Sequence, residues 1–258
     1  MHADFTLLFM VGDPVPEPSE ALPRFIEVDE PDAGLPTARV GVASDHPLVG
    51  DGADARLVMG LMMGIVPHIL CDGWVNTVES TGTGAVLHVT DRLADLGDKR
   101  LPAHCASLRE QLDAHVRSTL GCGVAWLEAA SGPARDPDEE ESTLTHVLKE
   151  RGWMVRWRDG GAGLGRDVAI GPLAMRRTTM LPFSGRDCLH KRFFSPAPNV
   201  QAAELRVRAT SDCRAVISGV HTLRSFGEHD GQWYCSHIVH HLQPDSYEQT
   251  VSLVRVGA

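Results

Sequence analysis

The sequence predicts a mainly β protein of the α+β class, with β modules over about residues 1–100 and 181–258 flanking a smaller α/β segment over 101–180. Three observations carry this. Apolar residues recur with a period near two at both ends of the chain. In the middle they recur every three to four residues. Glycine, proline and aspartate punctuate the period-two runs as turns do. A change of period along one chain is the pattern of an α+β architecture.

The N-terminal module begins with short strands over Phe5–Val11, Arg24–Val28 and Ala38–Ala43, separated by prolines from Pro14 to Pro47. Proline donates no ladder hydrogen bond, so these read as edge strands and long loops. A meander follows: Arg56–Met63, then Ile69–Ser80, the turn Thr81-Gly82-Thr83-Gly84, and Ala85–Thr90. Two strands joined by a glycine-rich tetrapeptide predict a hairpin.

In the middle segment, residues 103–120 predict a helix with the stripe Leu108, Leu112, Val116 and Leu120, ended by Gly121 and Gly123. The acidic run Glu139–Glu141 suits a helix N-terminus. It predicts a second helix over Glu139–Arg151, with Leu144, Val147 and Leu148 inward and Gly152 as its stop. Strands are expected at Trp153–Arg158 and Asp167–Ile170, around a loop at 159–165. The C-terminal module carries strand chemistry at Leu205–Ala209, Arg214–Ser218, Gln232–His241 and Gln249–Val256, with Asp230-Gly231 as a turn.

Composition excludes several classes. The chain has 258 residues, 43% of them hydrophobic, enough for a sizeable core. Its formal net charge of −10 argues against binding to nucleic-acid backbone or anionic membranes, both of which select clustered Lys and Arg. The start, Met1–Phe5, lacks a basic stretch followed by an apolar one, so no secretory signal is expected. The most apolar stretch, Leu57–Leu70, is interrupted by Pro67 and His68 and is too short to span a bilayer. The six cysteines (Cys71, Cys105, Cys122, Cys188, Cys213 and Cys235) form no C-x-x-C pair and are expected as buried reduced thiols.

The motifs that could carry chemistry read as structure. Gly161-Ala162-Gly163-Leu164-Gly165 resembles a nucleotide loop, but the Val168–Ile170 run after it suits a strand, whereas a dinucleotide fingerprint opens a helix. His237, His240 and His241 are the best metal candidates, with His221 or Cys213 as distant helpers. Their surroundings read as a strand, which sends alternate side chains to opposite faces. It also separates His237 from His241 by about 13 Å. No G-x-S-x-G elbow occurs, and the Glu139–Glu141 run reads as a helix cap. No catalytic, cofactor or metal residues are assigned, and no cofactor is expected.

Three segments together resemble the baseplate hub family of phage tails, which includes late control D-type proteins and the VgrG base. The first is Leu70–Glu79 with Gly84–Leu96, holding Gly73-x-Val75 and a closing Asp91-x-Leu93-x-x-Leu96. The second is the helix–strand unit Leu144–Trp157. The third is Asp230–His241 with Tyr247–Arg255, where Gly231-x-Trp233 opens one strand and His240 matches the family's histidine. The resemblance covers residues 60–258 and is weakest over the N-terminal third.

It implies a non-enzymatic virion structural protein with two hub-type β-barrel modules. The family's subunits form a trimer whose pseudo-sixfold ring joins the hexameric tail tube to a spike or tip. The partners implied are two further copies, the tube protein, the spike or tip protein and other baseplate proteins, with no specific nucleic-acid binding and no membrane insertion. The implied location is the tail baseplate, after assembly in the host cytoplasm. A distal tail or tip protein with the same modules is the alternative. A metal- or thiol-dependent enzyme is the reading from another class.

Overall fold

The structure, a computed structural model, describes residues 6–12, 17–31, 35–51, 54–63, 66–97, 99–126, 131–136, 142–157, 167–172, 179–185, 188–209, 217 and 219–256. The glycine-rich loop at 159–165, the acidic run Glu139–Glu141, Cys213 and all of the expected strand 214–218 except Ile217 lie outside these residues. The chain divides into two compact units, Met1–Asp91 with Arg176–Ala258, and Arg92–Met175.

In chain order, the first unit begins with β1 (Thr6–Val11), β2 (Glu17–Pro18), β3 (Phe25–Pro31), β4 (Thr37–Ala43), the short helix α1 (Leu48–Asp51), β5 (Arg56–Met63), β6 (Val66–Thr81) and β7 (Gly84–Asp91). The second unit holds a 3-10 turn (Arg92–Leu96), α2 (Leu108–Leu120), β8 (Val124–Trp126), α3 (Leu144–Arg151), β9 (Trp153–Trp157) and β10 (Val168–Pro172). The chain then returns to the first unit with β11 (Thr179–Ser184), β12 (Cys188–Ala197), β13 (Val200–Arg208), β14 (Val220–Arg224), β15 (Gly231–Gln243) and β16 (Ser246–Arg255).

The first unit is one 13-stranded sheet in the order β12-β13-β16-β15-β3-β4-β7-β6-β5-β1-β2, with β14 pairing β15 and β11 pairing β14. The two flanking β stretches therefore share one sheet, which does not close on itself among the described strands. What is double is the core. One cluster gathers Ile26, Val28, Val40, Leu57, Met59, Leu87 and their neighbours from the N-terminal strands. The other gathers Phe183, Leu205, Val207, Leu223, Trp233 and Val251 from the C-terminal strands.

Strand β15 belongs to both cores. Its Trp233, Cys235 and Ile238 enter the C-terminal cluster, while Leu242, with Tyr247 of β16, enters the N-terminal one. One edge of β15 pairs β14 over Gly231–Tyr234 and then β3 over His237–Leu242. The change falls at a bulge between Cys235 and His237. An extra residue there shifts the alternation, so inward positions pass from Trp233 and Cys235 to Ile238, His240 and Leu242.

The second unit carries a three-stranded sheet ordered β8-β10-β9. Helix α2 begins at Leu108, five residues after the expected start. Ser107 caps it by accepting from Glu110 N, and Glu110 Oε2 accepts from Ala106 N. This Ser-x-x-Glu box satisfies donors that a helix start leaves unpaired. Gly121 ends the helix in the left-handed region at φ 72°. Besides the expected leucine stripe, α2 buries Gln111 and His115. Gln111 Nε2 donates to Pro102 O and Arg135 O, and His115 Nε2 bonds Leu96 O at 2.9 Å. Helix α3 is capped by Thr143 and Gly152 and buries Leu144 and Val147, leaving Leu148 only half-buried.

Candidate functional site: the polar seam between the two cores

The histidines singled out in the sequence lie on β15, at the seam with β3. Strand β3 has the sequence Phe-Ile-Glu-Val-Asp-Glu-Pro, so it presents carboxylates on both faces. Each of the three histidines meets one of them: His237 with Asp29 at 2.5 Å, His240 with Glu30 at 3.0 Å and His241 with Glu27 at 3.4 Å.

His240 points inward and is buried. Its Nδ1 stands 2.8 Å from Tyr247 Oη, and Gln249 Nε2 donates to the same oxygen at 3.0 Å. One arrangement of hydrogens satisfies the whole row: amide to phenol, phenol O–H to Nδ1, and Nε2–H to the Glu30 carboxylate. The row crosses β16, β15 and β3 where the apolar clusters change over. Tyr247, His240 and Gln249 are all enclosed, and the row ties three strands together.

The outer face carries a second row. Arg206 on β13 pairs Glu248 on β16 at 2.7 Å. His241 on β15 bonds Thr250 Oγ1 at 3.1 Å, and Glu27 on β3 receives Arg39 from β4 at 3.4 Å. Arg39 stands opposite His88 of β7, which pairs Glu79 of β6 at 3.1 Å. The register places these residues on one face. Burial pushes the His241 imidazole below its ordinary range. Glu27 and Glu248 pull it up, while Arg206 and His240 add to the depression.

Two further residues of the resembling segments meet in the N-terminal core. Arg56 grips Asp72 through Nε at 2.9 Å and Nη2 at 3.0 Å, and Asp72 N donates to Asp91 Oδ2 at 3.3 Å. Asp72 and Asp91 are both buried. Between them Gly73 lies so close to β7 that a Cβ would stand 2.2 Å from Thr90 O.

The other chemical candidates are dispersed. His221 is buried on β14, 5.1 Å from the Phe183 ring. Among the described residues no group of three or more His, Cys, Asp or Glu is poised to hold a metal ion. Of the described cysteines, Cys71 and Cys235 are buried as expected of structural thiols, whereas Cys105, Cys122 and Cys188 are half-exposed. Burial and the neighbouring Glu110 push the Cys105 thiol up, opposite to what a nucleophilic thiolate needs. Among the described residues no helix is long and apolar enough to cross a membrane.

By sequence, no protein-family model and no curated protein matches the chain. By fold, solved structures do. The 43 kDa tail protein of prophage MuSo2 from Shewanella oneidensis superposes with a TM-score of 0.68 at 11% identity, over 97% of this chain and 98% of that one. A tail protein of Neisseria meningitidis MC58 gives 0.67 at 10% identity, over 98% and 97%. An Escherichia coli component of the type VI secretion system, described as structurally similar to the T4 bacteriophage tail proteins gp27 and gp5, gives 0.64 at 11% identity, over 96% and 77%. The chain has the fold of these phage tail and tail-like proteins along nearly its whole length.

Proposed function

We propose that the protein is a structural baseplate hub subunit of a phage or phage-like tail, forming a trimeric ring that joins a hexameric tail tube to a central spike or tip. The observation that carries this reading is the sheet laid over two cores and shared through β15. In this reading each core marks one module, so that three chains bring six modules together, which is what a sixfold-to-threefold adaptor requires. The full-length likeness to tail proteins supports the class.

Strand β12 supports association in particular. Among the described strands it is an end strand of the sheet, paired only with β13, and it exposes Leu189 and Phe194. A ten-residue open edge with apolar side chains is a template for pairing with another chain. The row of charges over the outer face, in a chain of net charge −10, suits a wall past which DNA or a protein slides without adhering. Native mass measurement with image averaging of the purified full chain tests the ring. Closed particles of three 28.0 kDa chains are expected, and a monomer or an open filament at all concentrations contradicts it.

A further inference from the structure

Among the described residues five large apolar side chains are exposed, and all five lie toward the two ends of the first unit's sheet. Leu189 and Phe194 stand on β12, Val200 on β13 and Val256 just past β16, the three strands at one end. Leu22 follows β2, the strand at the other end. The two ends also differ in charge. Strands β12 and β13 together carry four cations, Lys191, Arg192, Arg206 and Arg208, in a chain of net charge −10. Their one carboxylate is Glu204, opposite Arg192, and Glu248 of β16 answers Arg206. Lys191 and Arg192 are both exposed and adjacent on a strand, so both faces of the β12 edge are cationic. At the β2 end Glu17 and Glu20 are exposed beside Leu22, and the neighbouring cation, Arg24, donates to Thr83 Oγ1 at 3.4 Å. Exposed apolar groups rimmed by charge mark protein contacts. Apolar exposure and opposite charge thus point separately to the same two places.

We infer that the β12 end of one chain docks on the β2 end of a second copy, head to tail. Lys191 and Arg192 then face Glu17 and Glu20, and Leu189 and Phe194 pack against Leu22. The complementary charges select this pairing over the alternative. If β12 met β12 of a second copy, Lys191 and Arg192 would face themselves, and like charges across an interface repel. A two-fold contact of that kind also stops at two chains. A head-to-tail contact leaves one free end of each sort and is completed only by a ring. Strand β2 is two residues long and Pro18 has no N–H, so little of the ladder continues across and side chains carry the contact. The inference deepens the hub reading and rests on it only for the number three.

The test is sedimentation and native mass measurement of the full chain carrying Lys191→Glu with Arg192→Glu, Glu17→Lys with Glu20→Lys, or all four. Each pair of reversals alone is expected to raise the concentration needed for assembly by about tenfold or more, because it sets like charges across the contact. All four together make the ends complementary again, and assembly is expected to return. Its return also shows that the reversed chains fold. Assembly that ignores Glu17→Lys with Glu20→Lys, or that fails to return with all four, overturns the head-to-tail contact. Three-chain particles that ignore the reversals would uphold the ring and refute this contact. Particles of another number that respond as expected would uphold the contact and refute the ring of three. A monomer at every concentration contradicts both.

Discussion

Among single residues, the difference between enclosed and exposed ion pairs decides which substitutions matter. Arg56 and Asp72 are paired inside the core, so removing one leaves the other as a buried charge. Asp72→Ala is expected to cost about 3–5 kcal/mol in denaturant unfolding. The exposed Arg206–Glu248 pair has water as its alternative, and Arg206→Ala is expected to cost under about 1 kcal/mol. Similar losses from the two would contradict the assigned burial. His241 sets a pH dependence. Its folded-state affinity for protons is lowered, so the folded protein favours the neutral ring. The stability it contributes is complete above the ordinary imidazole value near 6.5 and is lost as pH falls below it. His241→Gln is expected to flatten the fall in melting temperature between about pH 7 and 5 relative to the wild type; unchanged slopes would refute it.

At the scale of elements, the seam is the structure's main joint. Tyr247→Phe keeps the ring in the core but removes the oxygen that His240 and Gln249 share, taking one buried hydrogen bond from each. A loss of about 1–3 kcal/mol is expected, with faster amide exchange along β3 and β15. Unaltered exchange there would mean that the row does not tie the strands. Sequence periodicity reveals the members of this joint but not their meeting. The hairpin of β6 and β7, helix α2 and the pair β15 and β16 are written in local periodicity and turn residues. The Ser107-x-x-Glu110 box was legible too and would have set the start of α2. Strands β11, β12 and β14 are not so written. β12 runs Cys-Leu-His-Lys-Arg-Phe-Phe-Ser-Pro-Ala and buries no residue fully, so it lacks the alternation that marks a half-buried strand. The pairing of β15 with β3 joins residues about 210 positions apart, as in the His240–Glu30 contact. No local pattern encodes such a partner, so the histidines were visible as candidates while Glu27, Asp29 and Glu30 were not.

For the whole molecule, one sheet carries two cores, and the proposed ring of three chains would bring six of them together. The net charge of −10 per chain adds an expectation for the assembled ring. At about 0.15 M salt, where charges are felt over about 8 Å, the ring should not retain duplex DNA. Tight binding under those conditions would contradict a sliding wall. Quantitative mass spectrometry of purified tail particles reads the place and number of the chain in a tail. Three copies per tail are expected, lost together with the baseplate when that end is removed. Six or more copies per tail, or particles that contain none, would contradict it.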